Sequence, residues 1–124
     1  MNKIPQISEA ELEVMKILWE LGQATSSQII DRLKETSEWK PKTIQTLISR
    51  LTAKGAIKAE STGSKAFLYL PLICEDEFKA LASKSFLQKV FDGSLNMMVA
   101  SFIKDQNMTK EEIESLKKLL DEEG

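Results

Sequence analysis

The stretch from Trp39 to Gly63, WKPKTIQTLISRLTAKGAIKAESTG, changes its periodicity once, and that change limits the folds that can contain it. Up to Lys54 the apolar residues Ile44, Leu47, Ile48 and Leu51 recur at i, i+3, i+4 and i+7, the spacing of a helix with one buried seam. Pro41 is favoured at the first helical position, and Lys54-Gly55 supplies a basic last turn followed by a glycine cap. Beyond Gly55, Ile57 and Ala59 and then Phe67, Tyr69 and Pro71 alternate on either side of Ser61-Thr62-Gly63-Ser64. That is the pattern of a two-stranded hairpin. A short amphipathic helix running straight into a hairpin needs further helices to cover its seam.

Those helices precede it. Ser8 and Glu11 form a capping box, after which Leu12, Met15, Leu18 and Trp19 recur at helical spacing, joined by Val14 and Leu21, until Gly22. A second box, Thr25 with Gln28, opens a shorter helix through Ile29, Ile30 and Leu33. Three helices and a hairpin are the winged-helix arrangement, with the second and third helices as the helix-turn-helix pair. The expected fold class is therefore mainly α with a small β-hairpin: a winged helix-turn-helix domain over 1–73, followed by a helical dimerisation domain over 74–124.

The C-terminal helices are read from a different pattern. Phe78, Leu81, Ala82, Ser85, Phe86, Leu87, Val90 and Phe91 form a wide apolar stripe, interrupted by Asp92-Gly93-Ser94 and resumed by Leu95, Met97, Met98, Val99, Ala100, Phe102 and Ile103. A third box, Thr109 with Glu112, opens a last helix carrying Ile113, Leu116, Leu119 and Leu120. About fifty residues in three short helices cannot bury so many large side chains among themselves. A second copy of the chain would cover them, through Phe86, Val90, Phe91, Leu95, Met98, Val99, Phe102, Ile113, Leu116 and Leu120. Folding back on the N-terminal domain is the alternative.

Composition removes whole classes of function. The 124 residues include no histidine and a single cysteine, Cys74, so His-dependent triads and zinc sites are not expected, and neither is any cofactor. One cysteine forms no intrachain disulfide and suits a reducing cytoplasm. The sequence has no run of eighteen apolar residues, so no membrane insertion is expected, and its N-terminus lacks the apolar core of a signal peptide. An enzyme is the class least expected, since no nucleophile–base pair is apparent.

The net charge of −2 hides an uneven distribution. Residues 1–73 carry ten Lys and Arg against eight Asp and Glu, and residues 74–124 carry seven against eleven. Within 36–65 there are six basic residues against two acidic ones, Glu38 and Glu60. Nucleic-acid binding needs a local basic face rather than a basic total. Opposite the seam of the third helix lie Lys42, Thr43, Thr46, Ser49 and Arg50, with Gln45 to one side, and Thr43, Thr46 and Arg50 point the same way. Threonine pairs with base edges and touches a thymine methyl, and arginine binds guanine through two hydrogen bonds. Lys40, Lys42 and Lys54 suit phosphates, which set register without reading sequence. Ser64 and Lys65 sit where a wing meets the backbone. Trp39 divides between a phosphate contact and a packing role, and Tyr69 between phosphate and core.

Together, ISEAELEVMKILWELG, WKPKTIQTLISRLTAKGAI and the FDGS, FI and EEIESLKKLLDE pieces of the tail resemble the BlaI/MecI family of penicillinase and methicillin-resistance repressors, from Ile7 onward. The resemblance implies a homodimeric repressor on double-stranded operator DNA with dyads of the TACA…TGTA type, controlling β-lactam-resistance genes and its own operon. It also implies relief by a membrane sensor metalloprotease through cleavage in the dimerisation helices at an Asn-Phe bond. The matching bond is Ser101-Phe102, with the phenylalanine kept and serine in place of asparagine. Copper-responsive relatives carry a C-terminal cysteine cluster; here no cysteine follows Cys74, so metal sensing is not expected. Two other readings compete: a regulator with a small molecule among Met97, Met98, Phe86, Phe91 and Phe102, and a winged helix used only for protein contacts.

Overall fold

Each of the three capping boxes opens a helix. The Ser8 hydroxyl accepts from the Glu11 N–H while the Glu11 carboxylate accepts from the Ser8 N–H at the start of α1 (Glu9–Leu21), and Thr25 and Gln28 do the same for α2 (Ser26–Thr36). Pro41 opens α3 (Pro41–Lys54), which ends on Gly55 at φ +81°, the left-handed conformation that glycine adopts at least cost. The computed structural model describes residues 4–105 and 108–123, with side chains as far as Lys118.

The hairpin follows as β2 (Ile57–Ser61) and β3 (Phe67–Pro71), paired antiparallel with Ala59 opposite Tyr69. A third strand joins them. Residues Ala24–Thr25, labelled β1, pair with Tyr69 and Leu68, giving the order β1-β3-β2. The hairpin expected from sequence is thus one part of a three-stranded sheet. Two residues are too few to display strand periodicity, and Thr25 also caps α2, so its local signal is that of a helix start.

The core is the meeting of α1, α2 and α3 over the base of the sheet. Val14, Met15, Leu18, Ile29, Ile44, Ile48, Leu51 and Ile57 are fully or almost fully buried there. The α3 seam is the one expected: Ile44, Leu47, Ile48 and Leu51 are its buried residues. Trp19, Trp39 and Tyr69 pack against this core from its margin.

Contacts divide the chain into two compact units, the first ending at Phe78 and the second starting at Lys79. The boundary lies five residues beyond the expected division at 73/74 because the chain after Ile73 is tied back. The Trp19 indole N–H donates to the Ile73 carbonyl at 2.8 Å, and the Trp19 and Phe78 rings stand 5.7 Å apart. The first turn of α4 (Glu75–Phe91) accordingly belongs with the first unit.

In the second unit, Asp92 at φ +50° and Gly93 at φ +84° turn the chain out of α4, and Ser94 caps α5 (Leu95–Lys104) by accepting from the Met97 N–H. Thr109 and Glu112 cap α6 (Lys110–Glu123) reciprocally. None of the side chains described in α5 or in the body of α4 is buried, and Phe86, Val90, Met97, Phe102 and Ile103 are exposed. Phe91, Met98, Val99, Ile113 and Leu116 are half-buried, while the side chains of Leu119 and Leu120 lie outside the described residues.

Candidate nucleic-acid interface

With its seam buried, α3 has one orientation, and the opposite face lies in solvent. Lys42, Thr43, Gln45, Thr46, Ser49 and Arg50 are all exposed, as is Lys40 at the N-cap. Arg50, Lys40 and Lys42 have no ion-pair partner among the described residues, so their charges are available. Thr46 donates its hydroxyl proton to the Lys42 carbonyl one turn back, at 3.0 Å. What it offers outward is therefore a γ-methyl and an acceptor oxygen, a more restricted set than the sequence alone implies.

The wing is held by a residue that sequence reasoning did not single out. Thr62 Oγ1 lies 2.8 Å from Ser64 Oγ and donates to the Ala66 carbonyl at 2.8 Å, with Gly63 at φ +83° between them. This closed turn places Ser64 and Lys65 in solvent. The side chain that follows, Phe67, is 51% exposed. Lys58, on β2, is paired with Glu60 at 2.8 Å.

Trp39 and Tyr69 are the two positions at which the sequence leaves phosphate contact and packing open, and both are half-buried. Trp39 packs against the core, and so does Tyr69, which is also paired on both sides within the sheet. Lys54, expected at a phosphate, directs its ammonium to the Glu11 carboxylate and to the Gln6 carbonyl at 2.9 Å. Glu11 is the one buried charged side chain among the described residues, at 1% exposure. Burial alone would raise its carboxyl pKa. The Lys54 ammonium, together with the N–H and hydroxyl of Ser8, outweighs that and holds it below the usual glutamate range. A capping-box glutamate is ordinarily read as a local device, and nothing within three residues of Glu11 reveals that its partner lies forty-three positions away.

The sequence profile described as penicillinase repressor matches residues 7–122. The chain belongs to the penicillinase repressor family. Among its relatives, the penicillinase repressor of Bacillus licheniformis is 43% identical over 98% of this chain and 94% of its own length. The methicillin resistance regulatory protein MecI of Staphylococcus aureus is 40% identical over 96% of each. The solved DNA-binding domain of the repressor BlaI superposes with a TM-score of 0.55 at 48% identity, covering 62% of this chain and 93% of that one. Monomeric B. licheniformis BlaI in complex with the blaP half-operator gives 0.54 at the same identity and coverage. For a member of the penicillinase repressor family, mainly α with a small antiparallel sheet, the winged-helix reading of the N-terminal unit is the fold these solved domains share.

Proposed function

We propose that the chain is a homodimeric transcriptional repressor that binds a palindromic operator of the TACA/TGTA type. It acts in the cytoplasm by binding rather than catalysis, at genes of β-lactam resistance and at its own operon. The observation that carries this reading is α3: a fully buried seam opposite an exposed row of Lys42, Thr43, Thr46, Ser49 and Arg50. Its support is the 48% identity to a repressor solved on a half-operator. In this reading Thr43, Thr46, Ser49 and Arg50 face base edges, and Lys40, Lys42, Ser64 and Lys65 meet phosphates.

The second unit supplies the dimer. A helical set that leaves Phe86, Val90, Leu95, Phe102 and Ile103 exposed needs another apolar surface, and a second copy carries the matching one. Ser101 and Phe102 lie in the last turn and a half of α5. Cleavage between them by a membrane sensor metalloprotease would separate Phe102, Ile103 and α6 from the rest of that surface, and would so relieve repression.

Selection of the full-length protein against random duplex DNA at physiological salt tests the reading. The expected result is an inverted repeat of two short half-sites about one helical turn apart, centre to centre. An unenriched pool would make the α3 face a generic surface and overturn the operator assignment.

A further inference from the structure

A buried carboxylate in so small a core needs a reason. Only the carboxylate of the Glu11–Lys54 pair is out of water, the Lys54 side chain being 36% exposed; such a pair contributes little net stability, whereas leaving the buried carboxylate unpaired is costly. In some folds a charged or polar pair of this kind instead fixes the relative placement of the two elements that carry it.

Glu11 stands in the first turn of α1 and Lys54 is the last residue of α3. The Glu11 Oε1 that accepts from Lys54 also accepts the Ser8 N–H at 2.9 Å, and Lys54 reaches on to the Gln6 carbonyl. One carboxylate oxygen therefore joins the start of α1 to the end of α3. The apolar seam prevents α3 from rolling and its interdigitated side chains limit sliding, but apolar attraction is itself non-directional and leaves small axial shifts to be settled by polar contacts. A hydrogen-bonded charge pair at the helix end resists that slide directly.

We infer that the Glu11–Lys54 pair is a positioning latch: it sets the axial placement of α3, and with it which base edges Thr43, Thr46 and Arg50 meet, while Lys54 itself contributes no phosphate contact. The inference rests on the operator-binding reading above. It assigns Lys54 to specificity and makes Glu11 a specificity-determining residue although it faces no DNA.

The test is a binding titration of full-length wild type, Glu11→Gln, Lys54→Met and the double variant. Each is titrated on a TACA…TGTA inverted-repeat duplex and on a scrambled duplex, over a range of salt. Glu11→Gln keeps an acceptor for the Ser8 N–H, and Lys54→Met keeps the stem. Both single variants are expected to lower the operator-to-scrambled affinity ratio roughly tenfold, the value of one base contact, with the salt slope unchanged. The double variant is expected to fall no further than either single one, because the two residues act as a unit.

If Lys54 were a phosphate ligand, Lys54→Met would weaken both duplexes alike and reduce the salt slope by about one, while Glu11→Gln would spare or improve binding. That pattern overturns the latch. A far-UV spectrum of each variant separates lost positioning from lost fold, and should Glu11→Gln fail to fold, Lys54→Met alone still distinguishes the two patterns by its salt slope. A wild-type protein with no preference between the duplexes would instead refute the operator reading on which the latch rests.

Discussion

The two units of this chain solve the burial problem in opposite ways. All fifteen buried apolar side chains among the described residues lie between Val14 and Ile73, in the first unit. The second unit is comparably rich in large apolar residues, yet buries none of those described and exposes Leu81, Phe86, Val90, Leu95, Met97, Phe102 and Ile103. The first contains enough crossing elements, three helices and a sheet, to close a core. The second has, among the described residues, three helices and no further layer to cover them. On the proposed reading, the unit that reads DNA keeps its shape on its own, and the unit that joins two copies leaves its hydrophobic surface for the other copy.

The sharpest way to break this contrast is Phe102→Asp. It should convert the proposed dimer to monomer in sedimentation velocity and lower the affinity for an inverted repeat by about 10²–10⁴, the loss of linked half-sites, with single half-site affinity preserved. An intact dimer would place the interface elsewhere. Next in size is Leu51→Ala, at a position with no exposure. It should cost about 2–5 kcal/mol of stability in chemical denaturation of the first unit, with the dimer retained by whatever protein remains folded.

Smaller effects sharpen what the first unit does with its rigid surface. Because the Thr46 hydroxyl proton is already given to Lys42, Thr46→Val should keep most of the operator preference through its methyls, and Thr46→Ala should lose about 1–3 kcal/mol of discrimination. Equal losses for both would mean that the oxygen, not the methyl, is read. The smallest effect is acid-linked. The folded Glu11 carboxyl titrates below its ordinary value, so its contribution is complete above the unfolded glutamate pKa of about 4.3 and is lost as the pH falls through the folded value. The stability gap between wild type and Glu11→Gln should narrow as the pH drops below that point. A gap constant with pH would detach the carboxylate from stability.

What was legible in the sequence is what is encoded locally. The capping boxes at Ser8, Thr25 and Thr109, the seam from Ile44 to Leu51 and the stop at Gly55 each depend on residues within one or two turns, and each stands where its spacing places it. The exposed α3 row follows from the seam, since what is not buried on a packed helix faces out. What was not legible depends on separation. The β1 pairing joins residues about 45 positions apart, with two residues of strand and a cap competing for Thr25. The Glu11–Lys54 pair joins residues 43 apart, and the Trp19–Ile73 hydrogen bond residues 54 apart. In each case the local signal was complete without the distant partner: Glu11 already had Ser8, and Trp19 already had a place on an apolar face.

Trp19 and Trp39 are the only tryptophans of the chain, and both lie at the margin of the first core. Intrinsic fluorescence therefore watches the N-terminal unit, while far-UV circular dichroism sums helices from both. Native emission with diminished ellipticity would be the optical signature of a DNA-binding unit still folded after its C-terminal helices have come apart, seen without a label of any kind.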